Sequence, residues 1–275
     1  MKKRTDLAGA LIIGLASLAG VAAFAYPFFL RALPASGLLA HQEDALAALA
    51  LLVTLCLGAT LAELTTGRMN ARSVATMGIL VAINAALRLA ENALIALPGG
   101  FSPVFFLIIL CGYVFGPRFG FLYGALSLLV SALATGGVGP WLPYQMFTAG
   151  WVGLSAGWLS PLTARLRTAG WERALLVLFG FLWGLLYGAI INLYFWPYIG
   201  GTGSGAWEPG IGLLETLGRY ATFYGVTSLW WDMARAVGNV VLLAAFGPPV
   251  LRVLRRFRRR FRFTVEPEWE AAPPA

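Results

Sequence analysis

The chain of 275 residues is 59% hydrophobic and only 12% charged, whereas an ordinary soluble domain carries roughly 25% charged residues, so a soluble enzyme or carrier is excluded. Its formal charge of +8 is concentrated in "MKKR" and in "LRVLRRFRRRFRF"; basic clusters flanking apolar spans follow the positive-inside rule and do not read as nucleic-acid recognition. His41 is the sole histidine, and Cys56 and Cys111 sit in apolar runs, which removes histidine-rich metal sites, proton relays and a disulfide framework.

In chain order, the hydropathy pattern predicts eight helices, several of them near the ~20 residues needed to cross a bilayer. The first covers 7–30; its apolar run is too long for a signal peptide, despite "AFA" as a possible cleavage site, so a retained helix is expected. The second covers 45–63 and the third 73–97. The fourth (103–116) and fifth (119–135) are short and divided by "GPRFG", where Gly and Pro act as breakers. The sixth (141–161) is entered through "TGGVGPWLPY", the seventh covers 174–196, and the eighth 226–250. The runs are continuously apolar and do not alternate, so strands are not expected. The fold class is all-α polytopic membrane protein: a helix pair over 1–70, a six-helix core over 71–251, and a basic then disordered tail over 252–275.

Charge tests this topology. With a cytoplasmic N-terminus, sixteen basic residues fall inside: Lys2, Lys3, Arg4, Arg68, Arg72, Arg118, Arg165, Arg167, Arg173 and the seven arginines from Arg252 to Arg262. Only Arg31 and Arg219 fall outside, and the asymmetry holds at every turn of the chain. Both termini are therefore expected in the cytoplasm.

The two remaining basic residues, Arg88 and Arg235, lie inside helices, where a charge at the centre costs ~2.5–3.5 kcal/mol on insertion scales. Arg88 and Glu91 fall in the outer half of the third helix, and Asp232 and Arg235 in the outer half of the eighth. Asn192 and Gln145 have similar depth on the seventh and sixth. Asn84, Arg88, Glu91 and Asn92 share one stripe of the third helix, as Asp232, Arg235 and Asn239 do on the eighth. This pattern predicts a polar cavity opening outward. A purely structural network of ion pairs is the competing reading, since Arg88–Glu91 and Asp232–Arg235 have (i, i+3) spacing.

Small residues form stripes of their own. Ala75, Gly78, Ala82 and Ala86 lie roughly 135° from the polar stripe of the third helix at ~100° per residue, a face suited to close helix contact. Gly180, Gly184, Gly188 and Asn192 repeat every fourth residue, as do Gln145, Ala149, Gly153 and Gly157, and both read as packing seams within one bundle. Two outer connections could close over a site. "TGGVGPWLPY" offers Trp141 and Tyr144 as rigid amphipathic surface, and the stretch from Pro197 to Gly225 is long and rich in Gly and aromatics, as a mobile lid would be.

From about Arg72 to Arg252, the chain resembles the substrate-binding (S) components of energy-coupling factor (ECF) transporters. The resemblance is carried by "ATMGILVAINAAL", "GYVFGPRFGFLYGALSLLVSALATGG" and "GPWLPYQMFTAGWVGLSAGWL". It implies a six-helix S-component core in a prokaryotic plasma membrane. It also implies capture of a vitamin without catalysis or cofactor, and delivery through a transmembrane T component and two cytoplasmic ABC ATPases. In that family small residues on the first core helix meet the T component, which maps onto Ala82 and Ala86, with Gly78 and Ala75 extending the stripe. The only lysines are Lys2 and Lys3, so this chain holds no Walker A Gly-Lys-Ser/Thr. The helices over 7–63 and the basic tail depart from the family pattern.

"GGVGPWLPYQM" looks most like the cobalamin-type group. The expected substrate-binding residues are Asn84, Arg88, Glu91, Asn92, Trp141, Tyr144, Gln145, Asn192, Asp232 and Arg235, with aromatic rings for a flat ligand and the charges for amide or phosphate groups. Riboflavin, thiamine or a queuosine precursor would suit nearly the same surface. Two other functions remain open from the residues alone. An ion-coupled secondary transporter of a small solute would show inverted repeats, and none is evident. An intramembrane enzyme would need an approach of Glu91 to Asp232, because HExxH and a Cys/His pair are lacking.

Overall fold

The twelve residues Val104–Phe115 form a helix too short to cross a bilayer alone, and every side chain from Val104 to Val114 is buried. The rest of the bundle is arranged around this helix. The computed structural model describes residues 2–29, 42–65, 69–94, 102–166, 168–198 and 204–260. Its helices are α1 (Lys2–Ala25), α2 (Gln42–Thr65), α3 (Ala71–Leu94), α4 (Val104–Phe115), α5 (Pro117–Thr135), α6 (Leu142–Leu166), α7 (Ala169–Asn192), α8 (Leu213–Thr227), α9 (Leu229–Ala245) and α10 (Gly247–Arg260). Five are long and apolar enough to cross a membrane, or six if the α9–α10 pair, bent by 67°, is taken as one span. The all-α polytopic class is thus established, with no strand among the described residues.

Seven of the eight expected helices match α1 to α7 closely. The eighth differs. Residues 226–250 take in the end of α8, all of α9 and the start of α10. The helix over Leu213–Thr227 occupies much of what the sequence suggests is a loop, and the first part of the basic tail is helical to Arg260. The rest of the tail lies outside the described residues.

The centre is a close-packed trio of α4, α5 and α6. Between lipid-facing helices no water-driven force favours association, so tight van der Waals contact must supply it. A Cβ at Gly120 would collide with the backbone carbonyl of Gly153, and one at Gly153 with that of Gly120, so both positions need glycine. The α4–α5 turn depends on Gly116, whose φ of 101° is open to glycine and strained for other residues.

The helix pair α1–α2 packs on α5 and α6. Gly20 faces the Phe147 and Trp151 rings, and Phe24 meets Tyr144 edge-on at 5.0 Å. At the other end of the pair, Glu63 of α2 forms an ion pair with Arg118 at the start of α5, at 2.6 Å. Gly9 of α1 lies against the same carboxylate.

At that same end α10 folds across the bundle. Leu251 and Leu254 are buried, Arg258 donates to the Val114 carbonyl at 2.8 Å, and Arg255 is ion-paired with Glu172 at the start of α7. Tyr113 of α4 donates to Glu172 and lies 2.5 Å from the Thr163 hydroxyl of α6. The beginning of α1 and the whole of α10 therefore share one end of the bundle, together with Arg118 and Arg173. Arg88 and Glu91 of α3 and Asp232 and Arg235 of α9 lie toward the opposite end, beside the start of α4.

Candidate functional site

The α7–α9 seam sets the site. Gly180, Gly184 and Gly188 on α7 face Asn239, Ala236 and Asp232 on α9, one small residue per turn against one partner. The Asn239 amide donates to the Gly180 carbonyl at 2.9 Å. A Cβ at Gly184 would strike the Ala236 backbone, and one at Gly188 would overlap the Asp232 carboxylate. The two stripes noted separately in the sequence are thus two sides of one interface. Asp232 and Asn239 are buried in it and do not line an open cavity.

Asp232 holds Arg235 by an (i, i+3) ion pair, and Arg235 also donates to the Gly184 carbonyl at 3.3 Å. The guanidinium lies over two rings, 5.3 Å from the centre of Tyr187 and 5.7 Å from that of Phe105. These rings meet edge-on at 4.5 Å, so the cation rests on a preformed aromatic corner of α4 and α7.

The α3 charges come to the same corner. Arg88 and Arg235 both lie within electrostatic reach of Glu91, and Arg88, Arg235 and Asp232 all act on Tyr187. Ser102, just before α4, donates to Glu91 Oε2 at 3.0 Å. Asn84, one turn before Arg88, is fully buried and donates to the Val104 carbonyl at 3.3 Å, while its Oδ1 accepts no hydrogen bond among the described residues. Arg88 is half-buried. Of the four charges, three are engaged: Arg235 and Asp232 by each other, Glu91 by Ser102. Arg88 has no hydrogen bond or close ion pair among the described residues.

A helix crosses over this corner. The hydroxyls of Tyr220 and Tyr224 on α8 donate to the Ala189 and Leu185 carbonyls of α7, the second at 3.2 Å. No residue of α8 is buried, and Leu213, Leu214 and Val226 are strongly exposed, so these tyrosines do much of its docking. Arg219 fastens the segment before it. It bonds Glu215 at 2.7 Å, Glu208 at 3.2 Å and the Ala206 carbonyl at 3.0 Å, and the two carboxylates raise its already high pKa. The Trp196 indole adds a hydrogen bond to the Gly205 carbonyl at 2.8 Å.

Of the expected site residues, Arg88, Glu91, Asp232 and Arg235 converge, with Asn84 beneath them. Asn192 is buried one turn past Gly188 on the same stripe, and its Nδ2 has no hydrogen-bond partner among the described residues. Tyr144 is buried in an aromatic group with Phe24 of α1 and Tyr194, at 5.0 and 4.6 Å, so its ring serves packing. Trp141 is exposed, its indole bonded to the Gly137 carbonyl at 3.3 Å, and Gln145 is half-buried in the first turn of α6. The Asn92 side chain lies outside the described residues. Sequence reasoning missed Phe105, Tyr187, Ser102 and Tyr224. Only Tyr187 had a signal, its place beside the Gly184–Gly188 stripe.

On α3, Met77, Val81, Asn84 and Ala85 are buried, whereas Ala75, Gly78, Ala82 and Ala86 are exposed. A Cβ at Gly78 would meet nothing. Among the described residues, no group of three His, Cys, Asp or Glu side chains could hold a metal ion.

The family model described as "ECF transporter, substrate-specific component" matches residues 72–247, which span α3 to α9 and leave α1, α2 and nearly all of α10 outside. No curated protein and no solved structure gives a significant match.

Proposed function

Since the chain belongs to the family of ECF transporter substrate-specific components, we propose that it captures a vitamin-class small molecule at the corner formed by α3, α4, α7 and α9. Cobalamin is the first candidate. Arg88 carries this reading: it is a guanidinium within a membrane helix, beside Glu91 and Tyr187, with no close partner among the described residues. A charge so placed is costly unless a polar group meets it, and a ligand carboxylate, phosphate or amide oxygen would do so by a charge-assisted hydrogen bond. Arg235 and Glu91 would add a second donor and an acceptor. Asp232 serves as a positioning residue, keeping Arg235 on its aromatic corner. Helix α8, docked by two tyrosine hydroxyls, serves in this reading as a lid over the bound ligand.

In this reading the end carrying α10 faces the cytoplasm, because Arg118, Arg173 and the α10 arginines gather there. The chain would then work in a plasma membrane of a prokaryote with a T component and two ATPases. The exposed stripe Ala75–Gly78–Ala82–Ala86 is the surface proposed for the T component, and its support is that the opposite face of α3 is buried. The test is equilibrium binding of a vitamin panel, cobalamin included, to the purified chain without ATP. One ligand bound tightly at 1:1 stoichiometry supports the proposal, and binding of none contradicts it.

A further inference from the structure

At the α10 end, far from the α3–α9 corner, a groove of about 390 Å³ runs between the first turns of α7 and the α9–α10 bend. Its floor includes the buried side chains of Leu176, Leu243 and Leu251. Its rim carries Arg173, Arg252 and Arg255. These arginines are not equivalent. Arg255 is ion-paired with Glu172, also in the lining, whereas Arg173 and Arg252 are exposed and form no hydrogen bond or ion pair among the described residues. The first turn of α7 also faces the groove through Gly170, and Thr168 at its N-cap makes no side-chain capping bond, so the helix start adds partial positive charge at the rim.

We propose that this groove binds the phosphate headgroup of an anionic glycerophospholipid, with an acyl chain lying over the leucine floor. Two free guanidiniums and an uncapped helix start suit a phosphodiester. The exposed Pro248 ring and the hydrocarbon stems of Arg173 and Arg252, lying above the buried leucines, give an acyl chain apolar surface from which a soluble anion would gain nothing. Position agrees as well. The 67° bend lays the amphipathic α10 across the bundle where α7 begins and α9 ends, which is headgroup depth for a helix of this kind. A lipid there would bridge Arg173 of α7 to Arg252 of α10 and hold α10 against the core.

The full chain in detergent is titrated with phosphatidylglycerol and with phosphatidylcholine of the same acyl chains, and adducts are counted by native mass spectrometry. Inorganic phosphate is added as competitor in a parallel series. Phosphatidylglycerol should bind in preference, and phosphate should not displace it. R173Q/R252Q should weaken that binding roughly tenfold or more, while R256Q/R259Q, which removes the same charge from elsewhere on α10, should leave it unchanged. Gly170→Leu, which obstructs the mouth without altering charge, should also weaken binding, with melting temperature confirming that each variant is folded. Equal affinity for both lipids, equal losses in the two double variants, or displacement by phosphate would each overturn the proposal.

Discussion

Gly188 and Asp232 meet across the α7–α9 seam so closely that a methyl group at position 188 would overlap the carboxylate. Since Asp232 in turn fixes Arg235, a contact between two helices determines where a guanidinium sits beside Arg88 and Glu91. Gly188→Ala should therefore cost about 1–3 kcal/mol by overpacking and should also weaken ligand capture, because Arg235 loses its anchor. Gly58→Ala, at a position with open space around it, should do neither. Thermal unfolding and ligand affinity, measured on both variants, check this.

Ala82 is exposed on α3, on the face opposite Asn84 and Arg88. Ala82→Leu should leave melting temperature and ligand affinity unchanged, yet reduce co-purification with a T component, because a larger side chain keeps two helix backbones apart. Reduced ligand affinity with normal co-purification would move the docking surface elsewhere.

The helices of the core were legible because their apolar runs are long and their breakers distinct, as "GPRFG" shows between α4 and α5. Helix α8 was not, since its apolar residues Leu213, Leu214 and Val226 stay exposed and Gly-rich sequence surrounds it. The charged positions Arg88, Glu91, Asp232 and Arg235 were legible from the cost of charge in hydrocarbon. What they would touch was not. Asp232 pairs with a glycine stripe and Arg235 with Phe105 and Tyr187, and such relations between helices leave no mark on either helix alone. Tyr144 shows the same limit: α1 brings Phe24 onto it, turning an expected ligand surface into core.

Helix α8 rests on hydroxyls that bond carbonyls of α7. The pair Tyr220→Phe and Tyr224→Phe removes both bonds while keeping the rings, at a net cost of about 0.5–1.5 kcal/mol each. The double variant should release bound ligand faster with little change in association rate, as stopped-flow measurement would show. Unchanged release would mean that α8 does not act as a lid.

Glu63 and Arg118 join α2 to the start of α5 at 2.6 Å, with the carboxylate buried. Glu63→Gln should lower stability by about 2 kcal/mol, the scale of a hydrogen bond to a charged group. Ligand affinity should be preserved, since the pair lies at the end remote from Arg88. Denaturant unfolding alongside ligand titration separates the two effects.

The central claim is that Arg88 meets a captured ligand, and native mass spectrometry of the purified chain beside its Arg88→Ala variant tests it most directly. The wild-type chain should carry one small-molecule adduct at 1:1 stoichiometry, and the folded variant should lose it or bind it roughly tenfold to a hundredfold more weakly, as expected for loss of a charge-assisted hydrogen bond. An adduct retained at full affinity by Arg88→Ala, or a variant that only unfolds, would contradict the claim and leave the charges of α3 and α9 as a structural network.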